Sequence, residues 1–127
     1  MIEVTKESVE EVLKEFKELI DENRYQLESG KDSKNDEFIR KYMLKPSNIK
    51  SMLERITVYH CINVECHHKD KSKVVYKFVK EFELKLNKEV TKVPVYIKFF
   101  LGYIRCQKST VIISFHEAKY SWKYMFK

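Results

Sequence analysis

A chain of 127 residues with 43% apolar and 13% aromatic side chains carries enough hydrophobic mass for one packed domain. Its two Gly and two Pro leave little for linkers, so the composition argues against disorder. No apolar run reaches the roughly 20 residues of a membrane span, the acidic start (Glu3, Glu7, Glu10, Glu11) is unlike a signal peptide, and three cysteines without framework spacing fit a reducing cytoplasm. The formal charge of +6 is uneven: residues 1–30 hold nine acids and four bases, whereas the remainder holds ten acids and twenty-one bases, a basic body suited to an anionic partner such as nucleic acid.

Ser8-x-x-Glu11 has capping-box spacing, and Val9, Val12, Leu13, Phe16, Leu19 and Ile20 recur at helical intervals, predicting a helix from about Thr5 to about Gln26. Beyond the polar break at Ser29–Ser33, a second helix is expected over Asp36–Met43, with Phe38, Ile39, Tyr42 and Met43 inward. Lys45-Pro46-Ser47 stops it, and a third helix starts at Pro46 or Ser47 carrying Ile49, Met52, Leu53 and Ile56. From Thr57 the period changes to that of strands. A strand is expected over Thr57–Cys66 and a turn over Lys69–Lys73. Another strand follows over Val74–Leu86, with a bulge at Val79-Lys80 where alternation blurs. A turn over Asn87–Lys92 then leads to Val95–Phe99, a bend at Gly102, and Val111–Ala118. The order ααα-ββββ predicts one α+β domain over 1–127, its helices (about 5–56) packed on one face of a four-stranded antiparallel sheet (about 57–118).

The last two strands carry the chemistry. Tyr96 and Lys98 project to one side of theirs, and Ser114 and His116 to one side of theirs. If the two sides coincide, a phenol, an ammonium and an imidazole converge, groups able to grip a phosphate and move a proton. Cys61, Cys66, His67 and His68 offer a competing zinc set. Adjacent strand residues point to opposite faces, however, and no second Cys pair completes the set, so no metal is assigned. Trp122 lies among Tyr120, Tyr124 and Phe126, interleaved with Lys119, Lys123 and Lys127; such a segment is either a platform for RNA bases or a cover for an apolar edge. Glu117 either orients His116 or caps its strand.

The first helix with its Leu-Lys-Glu-Phe-Lys-Glu string, the Ile49-x-x-Met52-Leu53 helix opening onto Thr57-Val58-Tyr59, Val95-Tyr96-Ile97-Lys98 and Val111–Ala118 together resemble the MqsR family of toxins, within the RelE-like mRNA interferases of type II toxin–antitoxin systems. The resemblance covers most of residues 9–120 in element order. It implies a small cytoplasmic α+β ribonuclease that cuts mRNA, on or off the ribosome, without metal or other cofactor, and that a cognate antitoxin neutralises. Tyr96 and Lys98 fall on the family's Tyr and Lys. His116 and His60 fall where lysines are common, and Lys77 on a polar residue of the second strand. On this reading His60 and His116 divide the acid and base roles, Lys98 holds the phosphate, Tyr96 stacks or donates, and Lys77, Lys80, Trp122 and Lys123 contact RNA. The alternative is a catalytically silent phage or mobile-element protein that inhibits a host nucleic-acid-handling complex. A DNA-binding repressor is disfavoured because no basic recognition helix stands out.

Overall fold

The computed structural model describes residues 4–30, 33–66 and 73–127. Helix α1 (Lys6–Asp21) starts where expected, but its cap is Thr5 paired with Ser8 rather than Ser8 paired with Glu11. The Thr5 hydroxyl accepts the Ser8 N–H and the Ser8 hydroxyl accepts the Thr5 N–H, each at 3.0 Å. The helix ends earlier than Gln26. Asn23 takes a left-handed φ of 60°, and the Arg24 and Asn23 N–H groups return to the Leu19 and Ile20 carbonyls, which terminates the helix and frees the next residues to extend. Strand β1 (Tyr25–Leu27) occupies that stretch. Helix α2 (Lys34–Lys41) is capped by Ser33, whose hydroxyl accepts from Asn35 and Asp36, and helix α3 (Pro46–Glu54) starts on its proline.

The expected strand over Thr57–Cys66 divides in two. Val58–His60 forms a short 3₁₀ turn, and only Cys61–Cys66 extends, as β2. Strand β3 (Val74–Leu86) has the predicted bounds, and β4 (Glu89–Ile104) and β5 (Gln107–Glu117) complete the set. Both late turns are two-residue loops. Asn87-Lys88 and Arg105-Cys106 have positive φ throughout, the twist that hairpin strands require. The chain therefore passes straight through Gly102, paired with Ser109, and bends three residues later. The Lys69–Lys73 turn lies largely outside the described residues.

Among the described residues the sheet has five strands rather than four, in the order β1-β5-β4-β3-β2, and it is mixed rather than antiparallel because β1 runs parallel to β5. The ladders slip at Ile62 in β2 and at Ile113 in β5, whereas β3 pairs with β4 without interruption through Val79-Lys80. The three helices do cover one face. Val9, Leu13, Phe16 and Ile20 of α1, Phe38 of α2 and Leu53 of α3 meet Phe78, Ile97, Phe99 and Phe115 of the sheet. Phe16 stacks on Phe99 with ring centroids 4.0 Å apart. Burying such side chains contributes roughly 1.5–3 kcal/mol each. The blurred alternation at Val79 has another cause than a bulge: Val79 is only 1% exposed although it faces away from the helices. The segment 118–127 crosses that second face, starting with the Ala118 N–H on the Pro94 carbonyl (2.8 Å). It is pinned again where the Tyr124 hydroxyl donates to the Val79 carbonyl (3.0 Å) and the Met125 N–H to the Cys61 carbonyl (3.0 Å).

Candidate functional site

Register brings the anticipated strand residues together. Tyr96 is directly opposite His116, and Lys98 is opposite Ser114 on one flank and Lys77 on the other. All five lie on the sheet face turned away from the helices, since their neighbours Ile97, Phe99 and Phe115 point into the core. The Tyr96 and His116 rings are 5.6 Å apart, tilted by 56°. With the 118–122 stretch arched over them, they form a cavity of about 450 Å³, within the usual size range of ligand sites. Tyr96, Val79 and Ile62 supply its floor, Tyr120 and Trp122 its wall, and Lys34, Lys77 and Lys119 its cations; no described carboxylate lines it.

Hydrogen bonding sets the state of His116. Its Nδ1 lies 3.1 Å from the Glu117 carbonyl oxygen, which can only accept, so Nδ1 carries the hydrogen and Nε2 holds the free lone pair. Burial lowers the imidazole's pKa below its ordinary 6.5; the Glu117 carbonyl opposes this, while Lys34 and Lys119 add to it. Near neutral pH the ring is therefore an uncharged base. Burial, then the Glu65 carboxylate, raises the Tyr96 phenol above its ordinary 10, which keeps it a proton donor. Lys77 is engaged by Glu65, whereas Lys98, Lys34 and Lys119 form no ion pair with any described residue. The Glu117 side chain does not orient His116: its carboxylate turns to the Tyr42 hydroxyl (3.4 Å) and to Lys41 (4.0 Å) on the helix side.

The other anticipated residues go elsewhere. His60 sits in the 3₁₀ turn, where its Nδ1 accepts the Thr57 N–H at 2.9 Å; burial, then Lys80 and Lys17, lower its pKa. Lys80 belongs to the helix side of β3, its ammonium 5.1 Å from the centre of the Phe82 ring. Lys123 is exposed and lines no part of the cavity, whereas Trp122 lines it directly. Of the zinc set, His67 and His68 fall outside the described residues. Cys61 is a packed thiol against the Met125 sulfur (3.8 Å), pushed up to about 11 by burial.

Two contributors, Lys34 and Asn35, had no signal in the sequence, and Lys119 was marked only as part of the basic tail. Lys119 and Lys34 come from the crossing segment and the first turn of α2. Asn35, 4% exposed, links that turn to β5. Its amide donates to the Glu28 and Ile113 carbonyls (2.9 and 3.0 Å), and its oxygen accepts the Phe115 N–H (2.8 Å). The buried amide thus spans the β5 bulge at Ile113, holds Phe115 next to His116, and sits beside Lys34 in the same turn. An Asn just inside a polar helix start reads as solvated, and only its register against β5 reveals the role. Set against known proteins, the chain matches no family model, no curated protein and no solved structure.

Proposed function

We propose that this chain is an endoribonuclease of the mRNA-interferase type, the toxin half of a toxin–antitoxin pair, with RNA as substrate and a cognate antitoxin as protein partner. The observation that carries the reading is the pairing of a neutral His116 with a protonated Tyr96 inside a cavity lined by lysines and by no described carboxylate. In the proposed step, His116 Nε2 takes the 2′-hydroxyl proton, the 2′-oxygen bonds to phosphorus, and the P–O5′ bond breaks. Tyr96 gives its proton to the departing O5′ and recovers one from the imidazolium. Lys98, Lys34 and Lys119 balance charge on the phosphate. The products are a 2′,3′-cyclic phosphate and a 5′-hydroxyl, and no metal takes part. Each proton-transfer group contributes typically 10²–10⁴-fold, and preorganised cations contribute further. The RelE-like arrangement of helices on a sheet belongs to the same proposal.

The test is purified protein with mRNA in the presence of a chelator, with and without ribosomes, followed by mapping of the ends. Cleavage leaving cyclic phosphates is expected, together with growth arrest on induction. Intact RNA under both conditions, with normal growth, would sink the reading. A second reading draws on the exposed row Glu7, Glu10, Glu11 and Glu18 of α1: a non-catalytic inhibitor that offers this face to a nucleic-acid-handling complex. The burial of the opposite side of α1 against the sheet makes the helix part of the core and favours the enzyme. Growth arrest undiminished in His116→Ala would favour the inhibitor.

A further inference from the structure

We propose that the cavity beneath the 118–122 stretch is a nucleobase subsite: one unstacked base of single-stranded RNA enters it and lies against the Trp122 indole, while the adjoining phosphates meet Lys34 and Lys119. The inference rests on the ribonuclease reading and gives it a substrate class and a specificity-determining residue.

Three observations carry it. First, the wall is fixed before any ligand arrives. The segment bearing Tyr120 and Trp122 is held at the Pro94 carbonyl before the cavity, and at the Val79 and Cys61 carbonyls beyond it. A wall already ordered adds little ordering cost on binding. Second, the lining is divided in the manner of a nucleotide. Flat or apolar groups (Trp122, Tyr96, Val79) line the interior with the exposed Tyr120 at the rim, and Lys34 and Lys119, with no ion pair to a described residue, supply charge for phosphate. Aromatic faces accept any base, and ammonium groups track the phosphate backbone. Third, the cavity continues past His116. Two neighbouring hollows share both Lys34 and His116 with it, one lined also by Glu37, Lys41 and Glu117, the other by Glu28 and Ser114. A polymer therefore has room on both sides of the imidazole, as internal cleavage requires. A base held in a duplex is paired and stacked, so it cannot reach the indole without being pulled out.

Trp122 is the only tryptophan in the chain, so its fluorescence reports this cavity alone. The experiment titrates the full chain with 2′-O-methyl oligouridylate, which binds like RNA but lacks the attacking hydroxyl, and with its duplex with oligoadenylate. Affinities come from the anisotropy of labelled strands. Expected are quenching of Trp122 by the single strand and little quenching by the duplex. Trp122→Ala should lose about tenfold in affinity with an unchanged salt slope, Trp122→Phe should recover part of the loss, and Lys34→Ala with Lys119→Ala should flatten the slope by about 1.4. Circular dichroism checks that each variant is folded. Tight single-strand binding with unquenched Trp122 and an unaltered Trp122→Ala affinity would overturn the subsite while leaving the ribonuclease reading in place. No binding of either strand at low salt would remove both.

Discussion

His60 and His116 are the same residue type, both half-buried, both with pKa values lowered first by burial and then by nearby lysines. Their hydrogen bonds nevertheless put them in opposite states. The Thr57 N–H donates to His60 Nδ1, so the neutral ring carries its hydrogen on Nε2 and its lone pair is spent on closing a turn. The Glu117 carbonyl accepts from His116 Nδ1, so the lone pair on Nε2 remains available in the cavity. A burial profile or a shifted pKa does not separate the two imidazoles; the partner at Nδ1 does, since it alone decides which ring keeps a lone pair toward the cavity.

Substitution tests the contrast most directly. His116→Ala is expected to lower RNA cleavage by about 10²–10⁴-fold with little change in melting temperature. His60→Ala should keep cleavage within about threefold and lose roughly 0.5–2 kcal/mol of stability, as for other lost caps. Parallel cleavage assays and denaturant melts decide it, and equal losses of cleavage in both variants would erase the distinction.

Asn35→Ala comes next in size. It leaves the buried Phe115 N–H without its acceptor and two carbonyls without their donor, a loss of about 1–3 kcal/mol for an unsatisfied group. Because the same amide sets β5 beside His116, kcat should fall even under conditions where the variant is fully folded. A folded Asn35→Ala chain with wild-type kcat would show that the amide holds the fold but not the site.

Acidification gives the smallest effect and splits by readout. His116 acts as a base only when neutral and its pKa is lowered, so cleavage should rise with pH along a limb that lies below about 6.5 and then hold a plateau. The unfolded chain binds protons on both histidines more readily than the folded one. Stability should therefore be fully present above about 6.5 and fall as pH drops through the lowered folded values. In His60→Ala the stability slope should shrink while the cleavage limb stays in place. A cleavage limb that moved with the His60 substitution would contradict the assignment.

Much of this arrangement was legible in the chain. Period-two alternation gave β3 its bounds, helical spacing found the inward residues of α1 and α3, and the same alternation put Tyr96 with Lys98 and Ser114 with His116. The failures have physical causes. Gly102 drew the turn three residues early because glycine is the usual punctuation, whereas Arg105-Cys106 adopt positive φ without one. Val79 upset the alternation because both faces of the sheet are covered there, one by helices and one by the 118–127 segment. Strand β1 is three residues long and exists only through its partner, so nothing local marks it. His60 looked like a strand residue until the 3₁₀ turn took it out of the sheet. Lys34 and Lys119 reach the cavity from elements far apart in sequence, and charge composition alone cannot say which lysines meet.

The mixed sheet also has a history in time. The β3-β4-β5 meander closes through two-residue turns, whereas β1 finds β5 only across most of the chain, Tyr25 opposite Thr110. Closing a long loop costs more chain entropy and delays the contacts that depend on it. The expected order therefore joins Tyr96 and His116 first and docks the parallel strand, with the α2 turn that carries Lys34, afterwards. Native-state hydrogen exchange should register this order, the amides of Tyr25–Leu27 opening well before those of Val95–Phe99. A refolding chain would then bring Tyr96 and His116 together before the α2 turn sets Lys34 beside them.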